Sequence, residues 1–150
     1  MTKKWILAED KLFATLGTHV GKLYIMTDSD TGQGKEILLN DTIGFIRDLP
    51  PKLIKSFSST LEDSIESDLL LHVIDASDPF IDERISIVNH ILDEIWAKQK
   101  RIMVFNKIDL LNKTQLAEIQ HHFPDKNNVR ISIKDGIGLD NIKKIIINNL

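Results

Sequence analysis

The most specific polar motif in the sequence is Asn106-Lys107-Ile108-Asp109, which directly follows an apolar run. The Asp109 carboxylate can accept two hydrogen bonds from guanine, one from N1–H and one from the exocyclic amine. Adenine lacks this pair of donors and would leave the carboxylate unpaired, so such a site separates the two bases. The aliphatic stem of Lys107 could lie over the base, and Asn106 could brace neighbouring loops. The alternative interpretation is a helix cap at Asp109 beside a solvated lysine.

Two weaker polar motifs also follow predicted strands. Asp41-Thr42-Ile43-Gly44 brings a carboxylate and a glycine, which would let a backbone N–H approach a terminal phosphate closely. Ser132-Ile133-Lys134 follows the last predicted strand and precedes two glycines. Each of these motifs, taken alone, is also typical of an ordinary strand end and turn. Because α/β sheets bind ligands at the carboxyl ends of their strands, the three motifs could form one site.

The elements that would position these motifs alternate between extended and amphipathic helical segments, which predicts an α/β domain. The predicted strands are Gly21 to Met26, Glu36 to Asn40, Leu69 to Ile74, Arg101 to Phe105 and Val129 to Ile133. The first two are joined by a polar stretch and are expected to pair antiparallel. The predicted helices cover Leu53 to Ile65, Ile81 to Ile95 with Asp78-Pro79 as cap and first turn, Thr114 to His122, and Leu139 to Ile147.

Composition narrows the function classes. The chain has 150 residues, enough for one domain, and it contains no apolar run long enough to span a bilayer. Membrane insertion is therefore not expected. The chain's 19 basic and 22 acidic residues give a net charge of -3 without a basic stripe, so direct DNA binding is not expected either. The absence of cysteine excludes disulfides and thiolate metal sites, and it is compatible with a cytoplasmic location.

Several longer runs resemble the HflX family, translational GTPases of the Obg-HflX group. They are Ala8 to Leu16, Asp41 to Pro50 and Leu69 to Pro79, with Asn106 to Asp109 in register. The resemblance extends over nearly the whole chain. It implies a Ras-like P-loop GTPase fold, in which a mostly parallel sheet carries helices on both faces. It also implies bound GTP or GDP with Mg²⁺, slow GTP hydrolysis, and stimulation by the large ribosomal subunit in the cytoplasm.

The resemblance also assigns roles to individual positions. Thr15 would coordinate Mg²⁺ and sense the terminal phosphate, while Asp41 would hold a metal-bound water and the Gly44 N–H would touch the phosphate. Phe45 would stand where Ras-like GTPases keep a water-positioning glutamine. The nucleotide-binding residues implied in this way are Phe13, Ala14, Thr15, Asp41, Thr42, Ile43, Gly44, Asn106, Lys107, Asp109, Ser132, Ile133 and Lys134. In the last of these loops a backbone N–H would contact the guanine oxygen, and Ser132 would brace Asp109.

The sequence departs from the family pattern before Ala8, where the family has a strand, a Gly-x-x-x-x-Gly-Lys-Ser/Thr loop and a helix. That loop holds the phosphates and Mg²⁺, so most of the triphosphate affinity is expected to be missing. Gly17-Thr18-His19 and Ile133 also replace the family's usual residues. We therefore expect residues 1–150 to be a single, N-terminally truncated HflX-type GTPase domain with impaired hydrolysis on its own. The family's N-terminal domain, which engages the ribosome, is also absent from these residues.

The missing strand would lie in the centre of the sheet, between Glu36–Asn40 and Leu69–Ile74, and its loss would leave two unpaired edges. The chain is therefore expected to fold poorly alone, and a separate chain supplying the phosphate loop could complete it. Two alternatives remain. One is a non-catalytic remnant or interaction module, and the other is a receiver-like domain with Asp75 as phosphate acceptor and Lys107 as its charge partner. His72, inside an apolar strand, is interpreted as a core histidine rather than a ligand.

Overall fold

A computed structural model of the chain describes residues 19–26, 33–41, 65–124 and 128–150. The predicted helix over Leu53 to Ile65 lies outside these residues except at its end, as does most of the predicted loop after Met26. The elements in chain order are β1 (His19–Met26), β2 (Gly34–Asp41), β3 (Leu69–Asp75), α1 (Ile81–Glu94), β4 (Lys100–Asn106), a 3₁₀ turn (Ile108–Leu110), α2 (Lys113–His122), β5 (Val129–Arg130) and α3 (Leu139–Asn149). This order confirms the predicted α/β class.

The strands form two separate sheets. β1 and β2 make an antiparallel hairpin, as predicted, and His19 lies opposite Asp41 in its register. β3, β4 and β5 make a parallel sheet in that order, with Asp75 opposite Asn106. Within the described residues, β2 and β3 are not hydrogen-bonded to each other. The division falls between the two strands that were expected to flank the missing central strand.

Helices cover both faces of the parallel sheet, in agreement with the prediction. Val104 of β4 packs in a cluster with Ile142 of α3. The next residue, Phe105, points to the opposite face and packs with Ile85 of α1 and Ile119 of α2. Because successive side chains of a strand point to opposite faces, this apolar run without alternation has a core on each side. β4 is therefore the most enclosed strand of the described chain, and the candidate guanine motif follows its end.

α3 connects the two sheets. Its residue Ile146 is buried in a cluster with Ile25 of β1 and Ile37 of β2. Ile142, one turn earlier on the same side of the helix, packs against both this cluster and the core of the parallel sheet. The apolar residues of α3 recur at helical spacing, which puts them on one face. The hairpin is thus held to the rest of the described chain through side chains of α3 and through Leu69 and Leu71 of β3.

Two predicted boundaries are wrong. α1 begins at Ile81 with Phe80 at the cap position, not at Asp78-Pro79. The Asp78 carboxylate instead accepts a hydrogen bond from the Phe80 N–H at 2.9 Å, which holds a turn before the helix. β5 also ends at Arg130 rather than continuing to Ile133, because Ser132 pairs with Ile137 in a bridge that closes a loop.

No helix in the described ranges combines the length and apolar character that a bilayer-spanning segment requires.

Candidate functional site

The predicted guanine-binding residues come together at the ends of β4 and β5. The 3₁₀ turn after β4 carries Asp109, and the Ser132 hydroxyl donates to Asp109 Oδ1 at 2.7 Å. Ser132 is fully buried, and the Asp109 side chain is only 10% exposed. The contact between Ser132 and Asp109 that the family resemblance implied is therefore present. It fixes one carboxylate oxygen and the orientation of the other.

The Asp109 carboxyl is held in its ionised form. The hydrogen bond from Ser132 lowers the pKa of Asp109 below its ordinary value, and this effect outweighs the opposing effect of burial. Lys134 adds to the lowering, with its Nζ at 3.7 Å from Asp109 Oδ2. An ionised carboxylate presents only acceptor atoms. The ionised Asp109 carboxylate can therefore accept hydrogen bonds from two donors on one edge of a base.

Asn106 ties the two loops of the site together. Its Oδ1 accepts a hydrogen bond from the Ile133 backbone N–H at 3.2 Å. The Ile108 N–H also donates to the Ile131 carbonyl at 3.3 Å, so the loop after β4 and the loop after β5 share two links. Asn106 braces its neighbour as predicted. The two loops therefore form one cradle, which contains Asp109 and Ser132.

The loop after β5 depends on a glycine. Ser132 and Ile137 exchange two backbone hydrogen bonds of 3.0 Å, which close the loop before α3 begins. Gly138 follows with φ of +75°, and a Cβ at this position would collide with the Arg130 carbonyl oxygen. Gly136 has a similar φ of +73°, but a Cβ there would meet nothing within 4 Å. Only Gly138 thus combines the left-handed backbone with a close approach to the neighbouring chain.

Lys107 makes a contact that the guanine interpretation did not assign. Its Nζ donates to Asp75 Oδ2 at 2.7 Å, joining the loop after β4 to the end of β3. Asp75 is held in turn by Ser77, whose N–H and hydroxyl donate to Oδ1 at 2.9 and 2.6 Å. Burial raises the pKa of Asp75, but the hydrogen bonds from Lys107 and Ser77 bring it below its ordinary value. The signal in the sequence was the position of Asp75 and Lys107 after neighbouring parallel strands.

The alternative interpretation of Asp109 as a helix cap is wrong. The cap of α2 is Asn112, whose side chain accepts from the Gln115 N–H at 2.9 Å, while the Gln115 side chain accepts from the Asn112 N–H at 2.9 Å. This reciprocal pair satisfies the helix start without Asp109. The carboxylate of Asp109 is consequently available to the cradle.

The predicted phosphate and metal residues are mostly not placed. Asp41 is the exposed last residue of β2. Thr42, Ile43 and Gly44 lie outside the described residues, as do Phe13, Ala14 and Thr15. Within the described ranges, no three histidine, aspartate or glutamate side chains are grouped closely enough to hold a metal ion. The exposed Asp41 carboxylate is a hard oxygen donor, which fits the expected contact to Mg²⁺ through a bound water.

Comparisons with known proteins identify the family to which the chain is similar. Residues 1–107 match the family model described as 50S ribosome-binding GTPase. A GTPase HflX of Caldanaerobacter subterraneus subsp. tengcongensis is 44% identical over 141 residues, which cover 92% of this chain and 29% of that protein. A GTPase HflX of Lacrimispora saccharolytica is 42% identical over 147 residues, covering 97% and 33%. The chain thus spans about a third of the length of these relatives.

A solved structure supports the fold. Era in complex with MgGDPNP and a segment of 16S ribosomal RNA matches with a TM-score of 0.68 at 23% identity, over 91% of this chain and 45% of that chain. At this level of identity the likeness is evidence for the fold alone.

Proposed function

Since the chain belongs to the family of 50S ribosome-binding GTPases, we propose that it is the guanine-reading part of a GTP-binding domain similar to that of HflX GTPases. The observation that carries the proposal is the fixed Asp109 carboxylate, hydrogen-bonded by the buried Ser132 hydroxyl at 2.7 Å. A preformed acceptor of this kind needs no rearrangement to receive the N1–H and amine of guanine. An adenine base would leave it without partners.

Three neighbouring groups would complete the recognition of the base. The Lys107 stem would lie along the ring, and a backbone N–H of the loop from Ser132 to Lys134 would donate to the guanine oxygen. Asn106 would hold this loop in place through its link to the Ile133 N–H, which measures 3.2 Å. This arrangement reads the base and leaves the phosphates to other residues.

The phosphate side is assigned from the family resemblance. Thr15 and, through a water, Asp41 would hold Mg²⁺, and the Gly44 N–H would contact the terminal phosphate. Mg²⁺ bound there would neutralise charge that develops on the phosphates during in-line attack by water. Phe45 cannot accept a proton, so hydrolysis is expected to be slow unless a partner orders the site. The description of the matching family model supports the large ribosomal subunit as that partner.

The phosphate loop would have to come from outside these 150 residues, because the sequence contains no Gly-x-x-x-x-Gly-Lys-Ser/Thr motif. A groove of about 590 Å³ lies between β2 and the start of β3, and Ile146 and Leu150 also line it. It follows the division between the two sheets. A strand that carries the phosphate loop would pair with both edges there, whether a separate chain or a longer form of this one supplies it. By themselves, the 150 residues are expected to bind triphosphate weakly and to hydrolyse it very slowly.

The proposal is tested by titrating the chain with a fluorescent GDP analogue in the presence of Mg²⁺, from micromolar to millimolar nucleotide. Saturable binding that unlabelled GDP displaces and ADP does not is the expected result. Asp109→Ala should abolish it, whereas Asp135→Ala, which removes a carboxylate from the neighbouring loop after β5, should leave it within about twofold. An absence of binding in a sample that circular dichroism shows to be folded would instead favour the non-catalytic interaction module.

The receiver-like alternative receives no support. It needs further acidic side chains beside Asp75 to hold a metal, and the described residues contain no such group.

A further inference from the structure

Asp75 is oriented before any ligand arrives. Its Oδ1 accepts from the Ser77 N–H at 2.9 Å and from the Ser77 hydroxyl at 2.6 Å. These two bonds come from a residue two positions along the chain, so they form as soon as the turn after β3 forms. The second oxygen, Oδ2, is thereby directed toward β4, where it meets Lys107 Nζ at 2.7 Å.

Lys107 begins from an unusual backbone position. It has φ of 65°, a left-handed conformation that non-glycine residues rarely adopt, at the start of the 3₁₀ turn that carries Asp109. Strand register places Asp75 opposite Asn106, and the Ala76 N–H donates to the Asn106 carbonyl at 2.8 Å. The Lys107 side chain therefore spans from the end of β4 to the end of β3, with its ammonium group held at Asp75.

We propose that Asp75 is a positioning residue for nucleotide binding, which holds the Lys107 stem as a preformed platform for the guanine ring. The inference rests on the proposed function. A lysine stem has several rotatable bonds and loses their freedom when it is ordered against a ligand. Because Asp75 orders the stem in advance, binding does not have to supply that cost. Asp75 itself would not touch the base, and discrimination between guanine and adenine would stay with Asp109.

The size of the effect follows from exposure. The Lys107 and Asp75 side chains are 53% and 36% exposed, so solvent screens their attraction. Ion pairs of this kind are worth a factor of about two to five in an equilibrium constant. Asp75→Asn keeps the shape of the side chain and removes its charge, so it is expected to lower the affinity for the GDP analogue by about two- to fivefold. The preference for GDP over ADP should not change.

A double-mutant cycle separates positioning from general stability. In Lys107→Met the stem remains and the ammonium is lost, so Asp75→Asn added to this variant should cause no further loss of affinity. If Asp75 served only the stability of the fold, the loss would be equal in both backgrounds. Glu36→Gln is the matched control, since it breaks an exposed lysine pair of 3.0 Å with Lys22 on the hairpin.

A second measurement does not depend on nucleotide. The acetylation rate of the Lys107 amine, followed by mass spectrometry in the nucleotide-free chain, should rise about two- to fivefold in Asp75→Asn and stay unchanged in Glu36→Gln. An unchanged acetylation rate in Asp75→Asn would show that Asp75 does not hold the Lys107 amine. If the wild-type chain binds the GDP analogue and Asp75→Asn binds it equally well, the positioning role is wrong while the proposed function stands. If the wild-type chain binds no nucleotide, the proposed function and the role of Asp75 in nucleotide binding both fail.

Discussion

Asp109 offers a base only acceptor atoms, because the hydrogen bond from Ser132 keeps the pKa of its carboxyl low. Asp109→Asn would exchange one acceptor for an amide donor. Xanthine carries a carbonyl in the place of the exocyclic amine of guanine, so it would match the altered site. We expect GDP affinity to fall about ten- to hundredfold and XDP to bind more tightly than GDP. Competition titrations with GDP, XDP and ADP measure the change, and Asp135→Asn serves as control. A variant that still prefers GDP would remove Asp109 from base recognition.

His72 gives the fold a dependence on pH. Burial, with a smaller contribution from the charge of Arg101, lowers its pKa from 6.5 to about 4. The unfolded chain therefore binds a proton that the folded chain does not between these two values. The contribution of His72 to the free energy of unfolding is fully present above pH 6.5 and is lost as pH falls toward 4. The loss is at most about 3 kcal/mol, and solvent screening of the partly exposed ring reduces it. An NMR titration of the imidazole should give this pKa, and His72→Gln should lack the pH dependence. A titration midpoint near 6.5 would show that the side chain is solvated.

Single-residue chemistry was partly predictable from the sequence. The order of Asn106, Lys107 and Asp109 predicts a guanine motif from local spacing, and the structure brings Ser132 into contact with Asp109. The contact between Lys107 and Asp75 was expected only by the receiver-like interpretation, and the guanine motif does not predict it. It depends on the register of β3 against β4 and on the left-handed backbone at Lys107, neither of which has a local sequence signal.

At the level of elements, the strands of the parallel sheet were the most predictable feature. Leu69 to Ile74 and Arg101 to Phe105 are mostly apolar, and each observed strand extends only one residue further at one or both ends. The predicted ends of other elements were wrong where a side chain or a bridge competes with regular structure. The Asp78 carboxylate holds a turn before α1, and the bridge at Ser132 takes the chain out of the sheet after β5.

The loop between β5 and α3 provides a test with an internal control. Gly136→Ala adds only the strain of a left-handed alanine, about 1 to 2 kcal/mol. Gly138→Ala adds the same strain and a collision with the Arg130 carbonyl, so it should destabilise the chain further and displace the cradle around Asp109. We expect Gly138→Ala to lower the affinity for the GDP analogue by more than tenfold and Gly136→Ala to lower it by much less. Equal effects of the two substitutions in urea unfolding and GDP titration would contradict the geometry of this loop.

At the scale of the whole molecule, the candidate guanine cradle and the expected phosphate side belong to different parts of the fold. The cradle lies on the parallel sheet, whereas Asp41 ends the separate hairpin. Side chains of α3, such as Ile146 and Ile142, and Leu69 and Leu71 of β3 join the two parts within the described residues. The division could be predicted from the sequence because the family pattern places a strand there. The bridging role of α3 could not, since its apolar face alone does not say which sheets it contacts.

Within the described residues no strand pairs with the facing edges of β2 and β3, which should limit the stability of the chain alone. Backbone groups that lack partners when buried cost about 1 to 3 kcal/mol each, against a total stability of about 5 to 15 kcal/mol for a typical domain. We therefore expect the 150 residues alone to melt without a sharp transition. An added piece that contains the strand, the phosphate loop and the following helix should restore a cooperative melt and raise affinity for GDP and GTP, since a ligand that binds only the folded state stabilises it.

A version of the added piece in which the loop lysine is replaced by alanine separates folding from phosphate binding. It should restore the cooperative melt, because its strand still pairs with β2 and β3, but it should not restore GTP affinity, because the lysine contacts the phosphates. Differential scanning calorimetry and the fluorescent GDP titration measure the two effects on the same samples. A sharp melt with dispersed amide signals from the chain alone would show that α3 and the two cores stabilise the fold without the central strand. The need for an added piece would then be confined to the phosphates.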